Sequence, residues 1–288
     1  MLFQVFINAL IVGSVYALVA VGFVLTYVVT RFANFGHGAT IGIAAYTFLI
    51  FFNYVGWLGA FILAVLFAMG FNFLVYYFLY KRLIRDKASK VILLLISFGI
   101  MLAVESLLQI IFTASPRRID LPVVQGMDLF GAKITLIQIL IIVITVAILI
   151  AVWIIMRKTK FGTVFKAVSD NQELAEIYGI NAEKIMLYSF LVAGILGAIA
   201  GTIITLEYVL TPTLGTFYMI KGFIGAVTGG LTSVYGSIFG SYLVGLFENY
   251  GAWFFLSTYK DAIAFILLFL VLLIRPQGLF GIKKGIRE

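Results

Sequence analysis

Apolar residues run through the chain in long blocks rather than in the spaced stripes of a soluble helix. Blocks at about 5–28, 57–80, 90–112, 134–156 and 187–210 are each long enough to be a bilayer-spanning helix, and a shorter one lies at about 261–274. Roughly 20 apolar residues suffice for a crossing. Two further stretches, 34–54 and 212–252, are apolar but broken by Gly and small polar residues. The pattern predicts an all-α chain of about eight or nine membrane-spanning helices in a single domain over 1–288.

Basic residues decide the sides. Lys81, Arg82, Arg85, Lys87 and Lys90 form one cluster, Arg157, Lys158, Lys160, Lys166 and Lys184 a second, and Arg275, Lys283, Lys284 and Arg287 a third. These hold fourteen of the 20 Lys and Arg residues. Loops on the cytoplasmic face carry such an excess, so all three clusters are expected there. The 113–133 loop mixes Arg117, Arg118 and Lys133 with Asp120, Asp128, Pro116 and Pro122, and is expected outside. Parity then requires 212–252 to cross twice and 34–54 once. The result is nine crossings, N-terminus outside and C-terminus inside. Met-Leu-Phe-Gln at the start lacks a basic region and reads as the first helix, not a cleaved leader.

Composition agrees with this picture and narrows the chemistry. The chain is 63% hydrophobic and 11% charged, against about 25% charged in an average soluble domain. A net charge of +8, placed in loops, fits anionic lipid headgroups and does not call for nucleic acid. With no Cys and one His, neither a thiolate nor a His-based metal site is available. The dipeptide Gly-Lys is absent, so no Walker-type phosphate loop exists. No GxSxG, HExxH or paired carboxylates occur. The chain reads as a transporter without a catalytic site or bound cofactor, powered by a partner or by an ion gradient.

Two segments resemble each other. Gly13-Ser-Val-Tyr-Ala-Leu-Val-Ala-Val-Gly22 is followed by Asn34-Phe-Gly-His-Gly38, and Gly194-Ile-Leu-Gly-Ala-Ile-Ala-Gly201 by Pro212-Thr-Leu-Gly215. In each, a helix of small residues precedes a Gly-containing break. An odd number of crossings lies between the copies, which makes the repeat inverted: about 5–112 and about 187–274. Interrupted helices at matching positions of inverted repeats point to a transport pathway. Small-xxx-small packing also accounts for many of these glycines. The candidate lining residues are Asn34, His37 and Gly38 at the first break, and Glu207, Pro212, Gly215 and Lys221 around the second. A lone His is more often structural than a proton carrier. Glu105, Glu207, Lys221 and Glu248 lie in or beside apolar blocks, where a charge costs about 2.5–3.5 kcal/mol on insertion scales. Glu207 and Lys221 are expected to pair or to line the outer side.

The loop at about 157–186 carries a short amphipathic helix. Ser169 or Asp170 can cap it, Leu174, Ala175, Ile177 and Tyr178 form its apolar side, and Gly179 can end it. Such a helix lies on lipid headgroups or docks into another protein.

The spacing Gly162…Lys166-Ala167…Asn171…Ala175…Gly179-Ile180-Asn181 resembles the coupling loop of ABC importer permeases, in particular the branched-chain amino acid (LivH-type) family. The N-terminal motif through Gly38, Gly229-Gly-Leu…Gly236-Ser-Ile-Phe-Gly240 and the tail Arg275-Pro-Gln-Gly-Leu-Phe-Gly281 are similar to that family's signatures as well. Two departures concern the pathway: Ala39 stands where the family usually has an acid, and Ala44-Ala45-Tyr46 where it has Gly-Ala-Tyr. The resemblance implies a bacterial or archaeal plasma-membrane permease for Leu-, Ile- or Val-like amino acids. It implies a homologous second permease, two cytoplasmic ATP-binding subunits that use ATP and Mg, and an extracytoplasmic binding protein. Lys166, Asn171, Ala175, Gly179, Ile180 and Asn181 would couple to the ATPases. Another small substrate such as urea or an amide, and an ion-coupled secondary transporter, remain the alternatives.

Overall fold

The structure is a computed structural model that describes residues 1–119, 126–129 and 131–281. Asp120 and Pro122 of the outer loop, and Lys283, Lys284 and Arg287 of the tail, lie outside them. The chain is helical nearly throughout. Helix α1 (Leu2–Thr30) is buried along most of its length and forms the centre of the bundle. Small residues on it and on its neighbours let the helices approach closely: Tyr242 packs on Gly13 of α1, Val19 of α1 packs on Gly222, and Ser14 shares a 3.0 Å hydrogen bond with Tyr242. Close approach at small residues is how helices associate where the surroundings are already apolar.

Helix α2 (Gly36–Val75) is not one rod. Gly56 has φ 72 and ψ 175, a combination open to glycine, and the helix folds back there. Thr40 donates to Asn72 Oδ1 at 3.1 Å, 32 residues away; a straight helix would put about 48 Å between them. Ala44 and Phe48 of the first leg pack on Ala60, Ala64 and Ala68 of the second. A π-helical turn at Tyr76–Tyr80 leads into α3 (Lys81–Arg85). Helix α4 (Lys90–Phe112) follows, then a two-stranded antiparallel ribbon of β1 (Met127–Leu129) and β2 (Ala132–Ile134). Helix α5 (Leu136–Lys158) starts at a capping box of Thr135 and Gln138.

The following loop holds two helices, α6 (Lys160–Asp170) and α7 (Gln172–Ile177). The cap of α7 is Asn171, not Ser169 or Asp170 as the sequence suggests. Both of those residues are consumed by α6, where the Ser169 hydroxyl donates to Lys166 O at 2.8 Å. Asn171 is extended (φ −152, ψ 110) and its Oδ1 accepts from Leu174 N–H at 3.0 Å. Helix α8 (Ala182–Glu207) packs along α1 and the α2 hairpin. Helices α9 (Leu214–Gly229) and α10 (Val234–Phe254) meet at a 116° bend, and α11 (Lys260–Ile274) closes the bundle. Gly225 and Gly229 of α9 lie directly against Gly236, Gly240 and Ser241 of α10, where a β-carbon would overlap backbone.

Six helical stretches are long and apolar enough to cross a membrane. The hairpin at Gly56 makes two legs of one of them, and α9 and α10 add two more. Counting the two legs of the α2 hairpin, α9 and α10 separately gives nine helical legs among the described residues, of which α9 begins inside the bundle. The end contacts sort them. At one end Gln4 exchanges hydrogen bonds with Lys133, and Arg117 pairs with Leu210. At the other, the Arg31 guanidinium donates to Ser169 O, and Lys81 lies 2.6 Å from Glu183. The first two basic clusters gather at this second end.

Candidate translocation site

The two breaks that the sequence marks enter the bundle from opposite ends and meet. After α1 ends at Arg31 in a left-handed turn (φ 59), Asn34 sets the start of α2: its Oδ1 accepts from Gly36 N–H at 3.1 Å and from Tyr80 Oη–H at 3.0 Å. Phe35 N–H donates to Ser97 Oγ at 3.1 Å. Ser97 is seven residues into α4, so the first break sits about 10 Å along that helix. Gly38 then faces Met101, half-way along α4, together with Gly215 and Met219 of α9. A β-carbon on Gly215 would overlap Gly38 O. Two helix N-termini therefore meet midway through the bundle, at a pair of glycines. Helix α9 has 16 residues, about 24 Å, which is shorter than the roughly 30 Å hydrocarbon core.

A cleft lies at this junction, lined by Gly38, Ala39 and Gly42 of α2, Met101, Glu105 and Leu108 of α4, and Pro212, Gly215 and Thr216. Its volume of about 10 Å³ holds one water molecule at most. It is a constriction and not a chamber. The Thr216 hydroxyl donates to the Glu105 carboxylate across it. Of the expected lining residues, Gly38, Pro212 and Gly215 come together here, with Asn34 organising the turn below.

The other three do not line the cleft. His37 follows the helical rotation away from it, into a notch made by Gly22 of α1 and Gly197 of α8. It is 1% exposed, and neither ring nitrogen has a hydrogen-bond partner among the described residues. The expected pairing of Glu207 with Lys221 is replaced by two separate contacts. Glu207, at the end of α8, accepts from Gln138 Nε2 at 2.6 Å. Lys221 lies seven residues into α9, about 10 Å along its axis, on the face toward α10 and α11. Its Nζ is 2.5 Å from Glu248 Oε1 and 2.7 Å from Asp261 Oδ1, and Tyr16 Oη–H donates to Glu248 Oε2 at 2.9 Å. Lys221 and Glu248 are fully enclosed while Asp261 is exposed. The cluster ties α1, α9, α10 and α11 together, away from the cleft.

Two features are not legible in the sequence. Glu105 stands out there as a lone charge, yet only the fold puts it at the cleft. The tail, for its part, closes off the end of α9. Leu279 N–H and Phe280 N–H donate to Thr228 O and Gly229 O at 3.0 and 2.9 Å, satisfying carbonyls that a helix end leaves free. Gly278 (φ 79) lies against Gly230 to permit this.

At the basic end, α7 stands out from the bundle. Ala175 is buried, while Leu174, Ile177 and Tyr178 are 51%, 80% and 79% exposed. Gly179 (φ 78) closes the turn, Ile180 N–H reaches back to Ala175 O at 3.0 Å, and Asn181 caps α8 through Lys184 N–H at 2.9 Å. Lys166 is on the solvent side of α6. Leu174, Ile177 and Tyr178 thus form an exposed apolar tip.

Long apolar helices, two interrupted ones meeting inside the bundle and a protruding helical tip at the basic end define a multi-pass membrane protein. Residues 5–272 match the family described as branched-chain amino acid transport system / permease component, and the chain belongs to that family. It is 29% identical to the high-affinity branched-chain amino acid transport system permease protein BraD of Pseudomonas aeruginosa, over 96% of this chain and 95% of that one. It is 28% identical to the corresponding protein LivH of Escherichia coli K12, with the same coverage. The LivH protein of Methanocaldococcus jannaschii is 30% identical over 96% of this chain and 91% of its own.

Proposed function

We propose that this chain forms one half of the pathway of an ABC importer that carries branched-chain amino acids into a bacterial or archaeal cell. The observation that carries the reading is the cleft at Gly38 and Gly215. Helix N-termini are partly positive, and backbone that leaves the helix inside a membrane survives only against protein or a cavity. The apolar wall of Ala39, Met101 and Leu108 suits an aliphatic side chain. Full-length similarity to BraD and LivH supports the substrate class.

The basic end faces the cytoplasm, which puts the C-terminus inside and the N-terminus outside. Leu174, Ile177 and Tyr178 then dock into one of two ATP-binding subunits, which hold the ATP and Mg; the chain itself binds no cofactor. A homologous second permease completes the pathway, and an extracytoplasmic binding protein delivers the substrate. The order of elements supports the inverted repeat: α1, the α2 hairpin and α4 are matched by α8, the α9–α10 pair and α11.

Reconstitution tests this. The complex in vesicles, supplied with binding protein and ATP, takes up leucine, and isoleucine and valine compete while urea does not. Deleting 171–179 abolishes uptake and leaves membrane insertion intact. Uptake driven by an ion gradient without ATP overturns the reading.

A further inference from the structure

Glu105 is an acid in the middle part of an apolar leg, and nothing in the described chain neutralises it. The other deep acid, Glu248, has Lys221 at 2.5 Å; Glu207 at its helix end has Gln138. No Lys or Arg among the described residues pairs with Glu105, whose one partner is the Thr216 hydroxyl. A carboxylate held in a membrane segment is costly and marks a functional site by default. Its position is specific: it lines the cleft one helical turn from Met101, facing the start of α9. That helix start has no side-chain cap, so the positive end of its dipole faces the same narrow space.

We propose that Glu105 receives the ammonium group of the passing amino acid while the first turn of α9 receives its carboxylate. This rests on the proposed function and names the group that selects a zwitterion within it. The two charges of an α-amino acid sit on one carbon, a few ångströms apart, and the cleft is lined by both a fixed negative group and the first turn of a helix whose start is positive. A neutral amide presents no ammonium and gains nothing from the carboxylate. At about 10 Å³ the cleft is closed, so the exchange happens as α9 draws back and Thr216 releases Glu105 to the substrate.

The test uses the reconstituted complex carrying Glu105→Gln, Glu105→Asp or Glu105→Lys. Leucine uptake, ATP hydrolysis stimulated by loaded binding protein, and complex assembly are measured together. Gln is expected to lower leucine uptake per ATP at least tenfold and Lys to abolish it, with assembly and stimulated hydrolysis retained. Asp, which keeps the charge, retains a third or more of wild-type uptake. A Gln variant that transports like wild type overturns the proposal. A Gln variant that no longer assembles overturns it too, and assigns Glu105 to an ion pair with the second permease. A wild-type complex that carries only uncharged solutes overturns both this proposal and the substrate reading; wild-type leucine uptake with an unaffected Gln variant overturns this one alone.

Discussion

Replacing Lys221 by Met tests the view that the Lys221–Glu248–Asp261 cluster holds the bundle together. The substitution leaves Glu248 enclosed, at 2% exposure, with the Tyr16 hydroxyl as its remaining partner. Removing one member of a buried pair costs about 3–5 kcal/mol, because an uncompensated charge stays behind. At roughly 2–4 °C per kcal/mol for chains of 150–250 residues, the midpoint should fall by on the order of 10 °C. The geometry also fixes an order. Glu248→Gln costs less, since Lys221 keeps Asp261 at 2.7 Å and the amide can still accept from Tyr16. Asp261→Asn costs least, because Asp261 is 62% exposed and an exposed partner contributes about 0–1 kcal/mol. The double variant Lys221→Met/Glu248→Gln recovers part of the loss, since no enclosed charge is then left. Heating the solubilised complex and measuring the monodisperse fraction by size exclusion gives the midpoints. Asp261→Asn as damaging as Lys221→Met, or a double variant no better than Lys221→Met, refutes the reasoning.

Three further outcomes follow from the geometry. Gly215→Val drives a branched side chain into Gly38 O and should abolish uptake; normal transport would show that the two helix starts part widely in every state. Gly56→Ala forces an alanine to φ 72 and should destabilise the complex by about 1–3 kcal/mol, read as a lower midpoint with unchanged substrate preference. Ile177→Asp and Tyr178→Asp change side chains at least 79% exposed, so the fold and insertion should survive while ATP hydrolysis no longer responds to loaded binding protein.

Much of this architecture is legible because bilayer physics leaves few options. Apolar block lengths and basic loops lead to a multi-pass helical bundle without any tertiary information, and the interrupted segments at 34–38 and 212–216 are where the helix starts meet. What stays hidden is which face of each helix looks where. His37 and Gly38 are neighbours in sequence and turn to opposite sides. Lys221 is 14 residues from Glu207 and 27 from Glu248, and only the fold of α9 on α10 selects the more distant partner. The cap of α7 slips by one or two residues because Ser169, Asp170 and Asn171 are all good cap residues; the reach of α6 settles the choice.

The restraints on α9 are uneven, and this bears on how a constriction one water wide could pass an amino acid. Its C-terminal end is held by the tail through Leu279 and Phe280, by Gly229 against Gly236, and in mid-helix by Lys221. Its N-terminal turn has no side-chain cap, and the Thr216 hydroxyl bond to Glu105 is the side-chain tie at the cleft. Local stability follows such contacts; at the N-terminal end they are the packing of Gly215 on Gly38 and of Tyr218 on Tyr16 and Tyr208. Glycines on both sides of the junction leave the Thr216–Glu105 bond and the Met101 and Met219 side chains on Gly38 as the side-chain contacts to be released there. The cleft thus sits at the end of α9 that the tail does not hold, next to the only described intramembrane acid without a nitrogen partner.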